Sequence, residues 1–128
     1  MRDMKVLLID DDDIFNFVHK RIIENVDSDI EVVVHNSCPK ALDYLANCGD
    51  SFPDFIFLDI NMPEMNGFEF LDSTSQLSQE IREKLKVFFV SSTLNDADVQ
   101  KAHSYPMVIG FQDKPLNEAV ITKLLTNK

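Results

Sequence analysis

Four short apolar runs recur along the chain: Val6–Ile9, Phe55–Leu58, Val87–Val90 and Met107–Phe111. Each is too short for a helix and rich in β-branched or aromatic side chains, so each reads as a strand buried on both faces. A fifth segment, Ile30–His35, alternates more and follows Asp27-Ser28-Asp29, which predicts a strand nearer a sheet edge.

Between these runs the apolar period becomes helical. Ile14, Phe17, Val18 and Ile22 form an apolar set after Asp12 and Asp13, either of which can cap the helix and complement its dipole. Ser37-Cys38-Pro39 opens a second helix, with Ala41, Leu42 and Leu45 facing inward and Gly49 as its stop. A third runs from Gly67 to about Leu77 with Phe68, Phe70 and Leu71. Asn95 caps a fourth containing Ala97, Val99 and Ala102, and Asn117 starts a fifth with Val120, Ile121 and Leu124. Leu77–Lys86 is long for a connection and is expected to protrude. Strand then helix, five times over, predicts an α/β fold: a five-stranded parallel sheet with helices on both faces and right-handed crossovers. A single domain over residues 1–128 is expected.

Composition narrows the function. Twelve Lys and Arg against 22 Asp and Glu leave 128 residues with a net charge of −10. An acidic surface repels phosphate backbones and anionic lipid, so neither direct nucleic-acid binding nor membrane insertion is expected. No apolar run approaches the ~20 residues of a bilayer span. The start, Met1-Arg2-Asp3-Met4-Lys5, meets four aspartates after one short apolar run, unlike a secretory leader. Cys38 and Cys48 have no CxxC spacing, which argues against a disulfide framework or zinc site and for a reducing cytoplasm. His19, His35 and His103 are scattered and read as polar or packing residues.

The chemistry collects at the strand ends. Val6–Ile9 runs into Asp10-Asp11-Asp12-Asp13, Phe55–Leu58 into Asp59, Val87–Val90 into Ser91-Ser92-Thr93, and the last strand into Gln112-Asp113-Lys114-Pro115. Ligands of open α/β sheets bind beyond the carboxyl ends of the strands, so these groups converge in one shallow cleft. Each alone is unremarkable as a cap or turn; their shared end of separate strands is what signals a site. Clustered Asp oxygens suit Mg2+, a hard cation that takes one or two carboxylates and keeps several waters, with Mn2+ as the alternative ion. Asp10, Asp11, Asp59, one divalent cation and Lys114 sum to neutrality, so a phosphoryl group on Asp59 would need the metal, the lysine and a hydroxyl to hold it. A cis peptide before Pro115 would aim Lys114 inward.

These residues resemble the receiver domain of two-component response regulators. The match covers essentially the whole chain: the acidic pair Asp10-Asp11, the strand ending in Asp59, the segment Asp59-Ile-Asn-Met-Pro-Glu-Met-Asn-Gly67, the hydroxyl at Ser91 and the pair Lys114-Pro115. The resemblance implies a flavodoxin-like, doubly wound (βα)5 fold with strand order 2-1-3-4-5. It implies Asp59 as phosphoacceptor, forming 4-aspartylphosphate, from a sensor histidine kinase or histidine phosphotransfer domain. It implies that Asp11 and Asp59 ligate Mg2+ directly, Asp10 mostly through water and Asn61 through its carbonyl, with Lys114 on the phosphoryl group. Ser91 takes the place of the switch hydroxyl and Phe111 that of the switch aromatic. The output surface would be the fourth helix, fifth strand and fifth helix (the α4-β5-α5 face of such domains), acting on a downstream protein target. The protein would be a stand-alone, chemotaxis-type regulator, a monomer or weak dimer, catalysing only its own phosphorylation and dephosphorylation. Ser stands where Thr is commoner, Ser92 where Ala or Gly is common, and Phe111 lacks a hydroxyl. Asn61 and Thr93 flank the path of hydrolytic water, and their small size implies a phosphoryl lifetime of seconds to minutes.

Two other chemistries fit less well. A haloacid-dehalogenase-type phosphatase needs a second Asp two residues after its nucleophile, where Asn61 stands. A flavodoxin-type electron carrier needs a phosphate loop after its first strand, where four aspartates would repel the phosphate. A third reading, a receiver-like interaction module that is never phosphorylated, conflicts with the intact set Asp10, Asp11, Asp59 and Lys114.

Overall fold

The computed structural model describes residues 4–92 and 94–126. Five parallel strands, β1 (Lys5–Ile9), β2 (Glu31–His35), β3 (Phe55–Leu58), β4 (Val87–Ser91) and β5 (Val108–Asp113), lie in the order β2-β1-β3-β4-β5. All four pairings are parallel. Alternation along the three inner strands sends successive side chains to opposite faces. Leu7, Ile9, Ile56, Leu58, Val87 and Phe89 join one core, and Val6, Leu8, Phe57, Phe88 and Val90 join the other. Each such side chain taken fully from water contributes roughly 1.5–3 kcal/mol, so the doubly buried centre is the most stabilised part of the sheet.

Helices α1 (Asp13–Val26) and α6 (Glu118–Thr126) cover the second core through Ile23 and Ile121. Helices α2 (Cys38–Asn47), α3 (Gly67–Ser73) and α5 (Asp96–Ala102) cover the first through Cys38, Ala41, Leu45, Phe68, Phe70, Leu71 and Ala102. Local chemistry sets the starts. Asp12, not Asp13, caps α1, its Oδ1 accepting from the Ile14 and Phe15 amides. Ser37 caps α2 ahead of Pro39. Asn66 and Glu69 form a reciprocal capping box on α3, and Asn95 caps α5.

Four expectations change. Among the described residues there are six α-helices, not five: within Leu77–Lys86 the chain folds into a short helix, α4 (Gln79–Lys84), capped by Ser78 and with no buried residue. The expected fourth and fifth helices are therefore α5 and α6. The third helix ends at Ser73 and tightens into a 3-10 turn, Thr74–Gln76. β5 is not buried on both faces; it is an edge strand, with Ile109 46% exposed. Finally, α1 buries only half of its apolar set: Val18 and Ile22 are half-buried, Ile22 against the second core. Ile14 and Phe17 are 75% and 64% exposed, while Asn16, His19 and Ile23 face inward.

Candidate functional site

The carboxyl ends of β1 and β3 are bound to each other before any side chain is considered. The Asp59 amide donates to the Ile9 carbonyl at 3.0 Å, and the Asp10 amide to the His35 carbonyl at 3.3 Å. Asp10 and Asp59 thus leave neighbouring strands side by side, 4% and 6% exposed. Asp11 follows in the loop and is exposed. One carboxylate oxygen from each of Asp10, Asp11 and Asp59 lies within 4.8 Å of the others.

Lys114 closes this cluster. Its Nζ sits 2.6 Å from Asp10 Oδ2 and 3.5 Å from Asp59 Oδ2, with its side chain 6% exposed. The Lys114-Pro115 peptide is cis. The Lys114 amide donates to the Ser91 carbonyl at 3.0 Å, tying the β5 end to the β4 end. Ser91 itself is fully buried at the end of β4. Asn61, two residues past Asp59, is exposed. Gly67 brings α3 close under the site: its amide donates to the Ile60 carbonyl at 2.8 Å, and an added Cβ would stand 2.8 Å from the Asp59 carbonyl oxygen. The structure therefore brings Asp10, Asp11, Asp59 and Lys114 together and sets Ser91 beside them. Phe111 lies apart, half-buried on β5, its ring edge-on to His103 at 5.6 Å. Thr93 is outside the described residues.

Burial, then the like charge of Asp10, pushes the Asp59 carboxyl up to about 6; Lys114 pulls it down, and Asp11 adds a smaller upward push. Lys114 offsets only one of the three carboxylates, so the cluster still favours a cation. Asp oxygens from two strand ends, one of them open to solvent, suit a hard divalent ion that retains water. Cys38, buried nearby, is no competing nucleophile: burial and the charges of Asp59 and Glu69 push its thiol up to about 12.

Three participants carry no sequence signal. Asn16 Nδ2 donates to the Asp10 carbonyl at 2.8 Å. His19 Nε2 accepts from the Leu116 amide at 3.2 Å, just past Pro115. Burial and the Lys114 charge hold that imidazole near 4, so it is neutral and fit to accept. Phe15 lays its ring over Lys114 Nζ, 4.4 Å from the centroid. Helical spacing groups Ile14 and Phe17 as the apolar face and passes over all three.

The model of the response regulator receiver domain matches residues 6–126. The chain belongs to the response regulator receiver family. Receiver domains are signalling modules that work with histidine kinases or phosphotransfer proteins. This receiver is 34% identical to a two-component response regulator from Cytophaga hutchinsonii of known crystal structure, with a TM-score of 0.89 over 98% of this chain and 97% of that one. It is 30% identical, over 94% of its length, to 7% of hybrid signal transduction histidine kinase L of Dictyostelium discoideum. It is also 30% identical, over 95% of its length, to 46% of the transcriptional regulatory protein BtsR of Shigella flexneri. The chain thus spans less than half the length of these two curated relatives. Among the described residues no helix is long and apolar enough to cross a membrane.

Proposed function

We propose that Asp59 accepts a phosphoryl group from the phosphohistidine of a sensor histidine kinase or histidine phosphotransfer domain. The observation that carries this reading is the buried Asp59 carboxylate, flanked by Asp10 and Asp11 and approached by Lys114. A carboxylate oxygen of Asp59 attacks phosphorus, the P–N bond breaks, and the imidazole leaves with the electron pair. Lys114 offsets charge on the transferring phosphoryl oxygens. Asp11 and Asp59 would hold Mg2+ or Mn2+ directly, Asp10 through water and Asn61 through its carbonyl; when bound, the ion supplies further positive charge at those oxygens. The chain acts chemically only on itself.

Phosphorylation draws the Ser91 hydroxyl toward Asp59, and Phe111 turns into the space vacated. The surface of α5, β5 and α6, the counterpart of the expected α4-β5-α5 face, then binds a downstream protein. Such switching is a population shift, set by the differential contacts of the phosphoryl group in the two packings. The whole chain forms one receiver unit, a monomer or weak dimer. It works in a reducing cytoplasm, in keeping with its two free cysteines, and touches neither nucleic acid nor membrane. Small polar side chains at Asn61 and Thr93 favour a lifetime of seconds to minutes.

The test is acetyl phosphate labelling with and without Mg2+. Acyl phosphate is expected on Asp59, dependent on the metal and absent from Asp59→Asn. Asp11→Asn is expected to abolish metal binding. Full labelling of Asp59→Asn, or unchanged metal titration in Asp11→Asn, contradicts the reading.

A further inference from the structure

Lys114 is enclosed on more than its carboxylate side. Asp10 and Asp59 take the ammonium at 2.6 and 3.5 Å, and the Phe15 ring covers it at 4.4 Å. That ring is itself held. The Asp12 cap accepts from the Phe15 amide at 3.3 Å, so the first turn of α1 is set where Phe15 leaves it. One turn on, His19 packs against the ring with centroids 5.6 Å apart and an interplanar angle of 34°. His19 is anchored in turn, through Nε2, to the Leu116 amide in the loop that carries Lys114. The first turn of α1 and the β5–α6 loop therefore clasp each other, with the ring and the ammonium as the contact at the cleft.

An aromatic face attracts a cation through its quadrupole, and more strongly when both are withdrawn from water. It also excludes water from the side of the ammonium it covers, which reduces screening of the charge the lysine directs at Asp59. We propose that Phe15 is a positioning residue for Lys114: its ring holds the ammonium at the Asp59 carboxylate and shields it from solvent, which speeds phosphoryl transfer to Asp59. This rests on the phosphoryl-acceptor reading above. A leucine at this position would fill similar space without the ring face, whereas tyrosine would keep it.

The experiment measures the rate of labelling by acetyl phosphate with saturating Mg2+, and Mg2+ affinity, for Phe15→Leu and Phe15→Tyr. Each is made in the wild-type chain and in a Lys114→Met background, with beryllofluoride affinity as a second readout. In the wild-type chain Phe15→Leu is expected to slow labelling about five-fold, and Phe15→Tyr to restore it to within about two-fold, with Mg2+ affinity unchanged. In the Lys114→Met background leucine and phenylalanine should be equivalent, because the ring then has no cation to hold. A wild-type rate in Phe15→Leu overturns the inference. So does an equal loss in both backgrounds, which would make the ring a packing element. If the wild-type chain is never labelled on Asp59, the acceptor reading fails and takes the inference with it; labelled wild type with an indifferent Phe15 fails the inference alone.

Discussion

At the carboxyl ends of β1 and β3, Asp10 and Asp59 are almost wholly buried, and their backbones are locked to neighbouring strands. Two strands away, β5 runs along the sheet edge with Ile109 exposed and Phe111 half-buried. The cleft is bounded by backbone and by charges in mutual contact, which have few alternative arrangements. The β5 edge is bounded by side chains: the Phe88 ring lies against Gly110, His103 meets Phe111 edge-on, and an open groove of about 490 Å3 extends past Phe55, Phe88 and Val120. Rings can turn where strand backbone cannot yield. The contrast fits a chemistry that needs one geometry and an output that needs two.

The largest break of this contrast lies at Lys114. Removing one preorganised charge that stabilises a transferring group costs roughly 100-fold in rate. Lys114→Ala is therefore expected to slow acetyl phosphate labelling by about that factor while Mg2+ titration persists. Phe111→Ala, on the β5 edge, should leave labelling within about two-fold. Equal losses in the two variants would erase the distinction.

pH separates the regions next. The Asp59 carboxyl, pushed up to about 6 in the folded chain, adds stability that is fully present below its ordinary 3.8 and lost as pH rises through 6. His19, pushed down to about 4, adds stability that is fully present above its ordinary 6.5 and lost as pH falls through 4. Their slopes oppose each other, so in the metal-free protein the Asp59 and His19 contributions largely offset each other between pH 4 and 6. In Asp59→Asn the His19 slope remains, joined in the same direction by His35, whose imidazole is also pushed down by burial and the Lys40 charge. Stability should then rise by at least about 3 kcal/mol from pH 4 to 6.5. Urea midpoints in chelated buffer measure this, with Phe111→Ala as the edge control expected to keep the pH profile of the wild-type chain. A level profile in Asp59→Asn would show that the two groups are not balanced against each other.

A pair of glycines sharpens the comparison further. An alanine Cβ at Gly67 would meet the Asp59 carbonyl oxygen at 2.8 Å and the Ile60 Cα at 3.1 Å, both backbone. At Gly110 the nearest atoms it would meet all belong to the Phe88 ring, the first at 2.7 Å, beside the open groove. Gly67→Ala is expected to cost about 2–3 kcal/mol and Gly110→Ala about 1 kcal/mol, read from denaturant midpoints. The smallest expected effect is on coupling. Ser91→Ala and Phe111→Ala should each keep Asp59 labelling yet weaken beryllofluoride-dependent partner binding several-fold, about 1 kcal/mol. Equal tightening by beryllofluoride in wild type and both variants would remove these two residues from the switch.

The linear sequence by itself determined the sheet. Buried strands must be short and apolar, helices must be amphipathic and capped, and Val6–Ile9, Phe55–Leu58, Ser37 and Asn95 state this locally. It also determined which candidate residues meet, because a parallel α/β topology sends the ends of β1, β3, β4 and β5 to one edge. Only the tertiary structure decided the burial of α1. A hydrophobic pattern assumes that a helix meets an apolar surface, but the first turns of α1 meet the polar strand ends and the Lys114 loop. There Asn16 and His19 find partners in the Asp10 carbonyl and the Leu116 amide, and Ile14 and Phe17 are left outward. The same holds for Phe15, whose place over Lys114 joins residues 99 positions apart in sequence and leaves no periodic trace. The short helix Gln79–Lys84 has no buried residue, and so gave no apolar stripe by which it could be recognised. Local pattern reports where a side chain leaves water; which polar groups it meets there is set by elements far away in the chain.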